Sequence, residues 1–383
     1  MTQNDEDAAR LFAVEELVGF ARAALATQGV PDADAALVAR SLVEADQRGI
    51  ASHGLLRLPL YVSALRHGGI TARPQLRFEN AEGATAVLDG DAGLGQVVMQ
   101  AAVDWSLAHA AAHGISAVAV HNSSHYGAGR FWTDQLTAHG MIGILTSTTG
   151  PVTAPFGGVR TVLGTNPLTV AMPSTGEPLT VDMATSAGAL GKVMAAKQAG
   201  ERIPADWAVD AHGEPTTDPD AAIGGALLPF GGHKGSGLSV LIEGLSAALT
   251  PATFAFDTQD IWESPASRMN NGHLLITLDT RAFAGRETVE SRISDLAGAV
   301  HAAGEGVLVP GEREYVLHRR NAARLALGAG LIADLRALAR ELGLELPAAA
   351  EAASEAAPRQ AEEDTTTAQD RCAEEKTTAM EES

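Results

Sequence analysis

Six short apolar runs limit what this 383-residue chain can become: GATAVLDG, ISAVAV, MIGILTST, LTVAM, LTVDM and HLLITLD, between Gly83 and Asp279. Each is β-branched or aliphatic and ends within eight residues, the length of a strand and too short for a helix. Stretches with helical spacing lie between them. GQVVMQAAVDWSLAHAAAHG closes at Gly114, another helix runs from about Arg130 to His139, and a third from Ala187 to about Gly200. Further helices are expected over Val14 to Gln47, Leu55 to Arg66 and Gly285 to Ala303. The first of these is split by TQGVPDAD, where Gly29 ends one helix and Pro31 and Asp32 start the next. The pattern predicts a mixed α/β body, with 40 Gly and 17 Pro supplying its turns.

Charge excludes one class of partner. The formal net charge is −20, and from Glu351 onward ten acidic residues face three basic ones, leaving −13 on the body. Such a surface repels nucleic-acid phosphate, and no basic patch interleaved with aromatics offsets it. No run of about eighteen apolar residues occurs, so no membrane span is expected. MTQNDEDAARLF lacks the basic start and apolar run of a secretory signal, and the single Cys372 cannot form an internal disulfide. A cytoplasmic protein is expected. From Pro347 the chain is rich in Ala, Glu, Thr and Ser, and 347–383 reads as a disordered acidic tail.

No dinucleotide fingerprint is present. GDAGLGQVV and GAGRFW each lack the third glycine, and SAGALGKV has Ser186 where a P-loop needs Gly. The chemistry-bearing residues lie elsewhere. ASHGLLRLPLY places Ser52, His53, Arg57 and Tyr61 at one helix entrance, with Gly54 expected to allow a tight turn. Arg57 and Tyr61, four apart, share a helix face, and free N–H groups at the helix start favour an anion. A guanidinium there can hold a carboxylate with two parallel hydrogen bonds. The plain alternative is an N-cap Ser, a surface His and a solvated Arg. HNSSHYGAG sets His121 and His125 four apart, but on a loop without Cys or dense carboxylates, so no metal is expected. PFGG, GTNP, DMATSAGALGK and PFGGHKGSGLS are small-residue loops at strand or helix ends. In the last, His233 and Lys234 precede a helix expected after Gly235, a combination suited to phosphate.

ASHGLLRLPLY, HNSSHYGAG, GTNPL, DMATS, GK and PFGGHKGSGL, in this order and spacing, resemble the type-2 malate/L-lactate dehydrogenase family. That family also holds sulfolactate and ureidoglycolate dehydrogenases, a diketogulonate reductase and cyclic-imine reductases. The likeness runs from roughly Glu15 to Leu346. It implies an α+β, non-Rossmann NAD(P)-binding fold with a largely antiparallel sheet flanked by helices. A helical domain would form from both chain ends, 1–70 with 286–346, carrying the Ser-His-Arg cluster and dimer contacts, with the cofactor domain over 71–285. NAD or NADP without metal, and a homodimer with an interfacial active site, are likewise implied.

By the same resemblance, Ser52 and His53 match the catalytic pair, His53 shuttling the proton, with His125 as its rival. Arg57 matches the carboxylate grip, and Thr165 and Tyr61 fall on the substrate side. His125, Tyr126, Gly127, Ala128, Gly129, Asp182, Met183, Ala184, His233, Lys234 and Gly235 match cofactor-contacting positions, and Arg313 in PGER resembles a late closing loop. The implied reaction is hydride transfer between a nicotinamide and C2 of a small 2-hydroxy/2-oxo acid, with His53 expected to titrate near neutrality. A cyclic-imine (piperideine- or pyrroline-2-carboxylate) reductase is the alternative. Lys192 stands where those reductases carry an acid, which counts against it.

Overall fold

The computed structural model describes residues 9–349. The first eight residues, Cys372 and the acidic tail from position 350 lie outside the described residues. β1 (Arg10–Ala13) leads into α1 (Val14–Ala26), whose first turn carries Glu15 and Glu16 at the positive end of the helix dipole. α2 (Asp32–Gln47) starts after Pro31 with Asp32 and Asp34 in its first turn. The helix expected from Leu55 begins instead as two tight 3-10 turns, Ala51–His53 and Leu55–Arg57. Only then does α3 (Leu58–His67) start, and Gly68 at φ +80° ends it.

The middle of the chain holds β2 (Arg77–Glu79), β3 (Thr85–Gly93), α4 (Gly95–His113), β4 (Ile115–Ser123), α5 (Arg130–Ala138) and β5 (Met141–Ser147). β6 (Leu168–Met172), β7 (Leu179–Met183), α6 (Leu190–Ala199), β8 (Ala208–Val209), α7 (Pro219–Ile223), β9 (Ala226–Leu227) and α8 (His233–Ala247) follow. The last stretch contains β10 (Asn271–Asp279), α9 (Arg286–His301), α10 (Glu312–Arg320), β11 (Arg324–Leu327) and α11 (Ala329–Leu342).

Seven strands make one sheet in the order β2-β3-β4-β10-β5-β6-β7. β3 and β4 run parallel, joined by the α4 crossover that such a pair requires, and the other neighbours are antiparallel. β10 arrives from far along the chain and slots between β4 and β5, with Leu275 opposite Val118 on one side and Leu145 on the other. Both of its edges are paired, which explains why HLLITLD is a nearly continuous apolar run. Leu88, Met99, Trp132, Leu136, Leu145 and Leu275 form the core where α4 and α5 cover this sheet.

A second core draws on both ends of the described chain: Phe12, Leu17, Leu42, Leu55, Leu58 and Leu335. Each fully buried leucine there contributes about 1.5–3 kcal/mol. β1 and β11 close it as an antiparallel pair, Leu11 opposite Ala326. This core is what anchors the Ser52–Arg57 turn, because Leu55 and Leu58 on either side of it are fully buried. α9 buries none of its residues, and α8 leaves Val240, Leu241 and Leu245 exposed. Among the described residues no helix is long and apolar enough to cross a membrane.

Candidate active site

The Ser52–Arg57 turn is shaped from below by Asp46, near the end of α2. Its Oδ2 accepts the Leu55 N–H at 2.8 Å, and a Cβ on Gly54 would collide with the same carboxyl group. Gly54 is therefore required by this close approach. Its φ of −89° is ordinary, so the tight-turn role expected for it is not the one it has. Burial pushes the Asp46 carboxyl up to about 7, against the opposing pull of the Leu55 N–H.

Above this floor sit the charged groups. Ser52 Oγ and His53 Nδ1 are 2.8 Å apart, and Arg57 Nε donates to the Ser52 carbonyl at 2.6 Å. The guanidinium lies 4.6 Å from the Trp262 ring and forms no ion pair among the described residues, so its terminal nitrogens stay free. The His53 ring stacks on His125, with centroids 5.3 Å apart, and Trp262 meets His125 edge-on at 5.5 Å. Tyr61, expected on the substrate side, is fully buried beneath His125. Its oxygen accepts from Gln96 Nε2 at 3.1 Å and its hydroxyl then donates to His125 Nδ1 at 2.5 Å. With Gly127 N–H also pointing at Nδ1 (3.4 Å), the neutral His125 ring carries its proton on Nε2.

These surroundings decide protonation. Burial, then the Arg57 charge, drives the His53 pKa down to about 4, well below the near-neutral value expected from sequence. His125 is lowered by burial first and by the His53 and Arg57 charges next. Both rings are neutral at pH 7.

The remaining predicted residues occupy loops at the strand ends. Asp182, at the end of β7, accepts the Arg130 N–H at 3.0 Å and the Thr169 hydroxyl at 2.8 Å, capping α5. A side chain on Gly129 would collide with Thr169, so the His125–Gly129 loop packs directly on β6. Tyr126 and Ala128 are buried, the Tyr126 ring edge-on to His273 at 4.8 Å, while Met183 is exposed and Ala184 half-buried. Thr165 receives the Thr149 hydroxyl oxygen on its N–H at 2.9 Å, and its carbonyl accepts Thr185 N–H at 2.8 Å.

The helix at HKGSG begins earlier than expected, at His233, so His233 and Lys234 form its exposed first turn. The reason is Gly232, which caps α8 at φ +61°, and Gly235, where any side chain would strike the Phe230 carbonyl. No side chain caps α8 or α10, where Arg313 is exposed in the first turn. Pro310 O accepts the Thr180 N–H at 3.1 Å, laying the PGER turn along β7. Lys192 stands over Trp207 at 5.9 Å, and the neighbouring Gly191 faces Ser52.

Ser52, His53, Arg57, Tyr61 and His125 thus form one contact cluster, and Gly129 joins Asp182. His233 and Lys234 lie in the first turn of α8, and Arg313 in the first turn of α10. Among the described residues no group of three or more His, Cys, Asp or Glu is placed to hold a metal. Asp46, Gln96, Asp260 and Trp262 were not read from sequence. Trp262 alone left a signal there, a bulky aromatic in a polar, turn-rich stretch of a chain with only four Trp.

A stacked imidazole pair beside an unpaired guanidinium is the equipment of an acid–base enzyme that grips an anionic substrate. The chain belongs to the malate/L-lactate dehydrogenase family, whose model matches residues 12–336. The L-sulfolactate dehydrogenase of Methanothermobacter thermautotrophicus is 36% identical over 86% of this chain and 96% of its own. The ureidoglycolate dehydrogenase (NAD(+)) of Escherichia coli K12 is 34% identical over 78% of this chain and 86% of its own. The sulfolactate dehydrogenase structure from Methanocaldococcus jannaschii superimposes with a TM-score of 0.82 at 35% identity, covering 88% of this chain and 98% of that one.

Proposed function

We propose that the protein is an NAD(P)-dependent oxidoreductase that moves a hydride between the nicotinamide and C2 of a small 2-hydroxy/2-oxo acid. The observation that carries this is the free, partly buried Arg57 guanidinium beside the His53–His125 stack. Arg57 holds the substrate carboxylate in a bidentate grip. His53 takes the hydroxyl proton during oxidation and returns it during reduction, Ser52 orienting its ring. His125 is assigned a different role from that of a base. Its Nδ1 already accepts Tyr61, so Nε2–H donates a hydrogen bond to the reacting oxygen and polarises it. Tyr61 acts through His125 as a positioning residue. When the carboxylate neutralises Arg57, one of the two causes depressing His53 is removed, so substrate binding itself raises the affinity of that ring for a proton.

The residues fit a dinucleotide held without a Rossmann fingerprint. The uncapped first turn of α8 offers N–H groups with His233 and Lys234 beside them, Gly235 keeps the backbone close, and Arg313 closes from α10. When bound, the nicotinamide supplies or accepts the hydride. His125 to Gly129 and Asp182 to Ala184 form the walls around it, and Thr165 stands on the substrate side. Of the expected helical domain of 1–70 with 286–346, the described part from residue 9 then serves the substrate side, and 71–285 the cofactor side. The exposed apolar face of α8 supports a homodimer, which light scattering would test.

A 340 nm panel of 2-oxo acids and piperideine-2-carboxylate, each with NADH and NADPH, tests the reading. Turnover of 2-oxo acids is expected, and turnover of the imine alone would replace it with the reductase alternative.

A further inference from the structure

We infer that Asp260 faces the end of the substrate remote from the carboxylate on Arg57. There it selects 2-hydroxy acids whose far end is neutral and donates a hydrogen bond, over those with a second anionic group. This rests on the reading of Arg57 as the carboxylate clamp.

The ground for it is placement. Asp260 opens the turn that carries Trp262: its carbonyl accepts the N–H groups of Glu263 and Ser264, both at 3.1 Å, and its Oδ1 accepts the Trp262 N–H at 3.1 Å. That turn leans over the active site, since Trp262 covers Arg57 and touches His125. Oδ2 bonds nothing among the described residues and stands 2.9 Å from where a side chain on Gly150 would begin. Gly150 adjoins Thr149, whose hydroxyl oxygen accepts the Thr165 N–H. Asp260 therefore adjoins Gly150, next to the Thr149–Thr165 pair, and lies within electrostatic reach of Arg57. Arg57 and Asp260 feel each other's charge yet form no ion pair. A guanidinium and a carboxylate that influence each other without pairing can each engage one end of the same molecule.

Charge then selects among substrates. Burial lifts the Asp260 carboxyl to about 6, so it is ionised at pH 8. A second carboxylate or sulfonate at the far end meets a like charge in a half-buried site, whereas an amide, ureido or hydroxyl group donates to Oδ2.

The test compares racemic malate with its 4-amide, malamate, as substrates at pH 8, in the wild type and in Asp260→Asn, which keeps an acceptor for the Trp262 N–H. Succinate and succinamate serve as dead-end ligands, titrated calorimetrically with NADH or NADPH bound. The wild type should favour malamate in kcat/KM, and succinamate in Kd, by about tenfold or more. The substitution should bring both ratios to within about twofold of unity. Equal turnover of the malate pair by the wild type, or a preference that Asp260→Asn leaves intact, overturns the role of Asp260 while hydride transfer stands. Absence of turnover with every 2-hydroxy acid, alongside a succinamate preference that the substitution abolishes, supports Asp260 and sinks the hydride-transfer reading instead.

Discussion

On the proposed substrate side, side chains hold one another. Ser52 sits on His53, Arg57 Nε on the Ser52 carbonyl, and Tyr61 between Gln96 and His125. On the proposed phosphate side, His233, Lys234 and Arg313 stand exposed at helix starts, and order resides in the backbone at Gly232, Gly235 and Gly311. The difference teaches where position matters. Proton transfer fails when donor and acceptor shift by an ångström, while free N–H groups and point charges hold a phosphate with loosely placed side chains.

The contrast is broken most visibly at His53. His53→Ala should lower kcat at least about a hundredfold and leave nicotinamide binding within about twofold. Stopped-flow and fluorescence titration measure the two, and a wild-type kcat would remove His53 from the reaction. Arg57→Ala should raise KM for the acid about thirtyfold, through the lost bidentate grip; an unchanged KM would discard the clamp. Lys234→Ala should do the opposite, weakening cofactor binding about tenfold with kcat at saturation nearly unchanged. A fall in kcat alone would move Lys234 to the substrate side.

Two smaller effects sharpen the comparison. Tyr61→Phe should cut kcat about tenfold by freeing His125 Nδ1, without touching cofactor affinity, and should cost about 1–3 kcal/mol because Gln96 loses its partner. Asp46→Asn should leave kcat within about threefold and act on stability instead. In the unfolded chain this carboxyl titrates at its ordinary 3.8, and in the folded protein at about 7. The folded state holds the proton more tightly, so stability is full below about pH 4 and is lost as pH rises toward 7. Asparagine keeps an acceptor for the Leu55 N–H without that loss. The variant should therefore gain on the wild type between pH 5 and pH 8 by about 2 kcal/mol. Denaturant unfolding at both pH values checks this, and a gap independent of pH would contradict a buried neutral Asp46.

Legibility followed locality. All six apolar runs lie on strands, because β-branched composition and turn boundaries are properties of a few adjacent residues. β1 and β11, four residues each, and β8 and β9, two each, are too short to carry such a pattern, and they exist because their partners are there. Ser52, His53 and Arg57 could be seen together since one turn holds them. Gln96 on α4, Trp262 and Asp260 in the turn before β10, and Asp46 on α2 reach the same place only by packing.

The sequence by itself determined six of the seven strands of the main sheet, the helices α4, α5, α6 and α8 and, through ordered motifs, the family. Both depend on residues close in the chain. Tertiary structure alone decided that Gly54 is needed for Asp46 rather than for a turn, that His53 is neutral at pH 7, and that the proton of His125 lies on Nε2. Burial, charge and hydrogen bonding act through distance in space, and sequence separation does not record it.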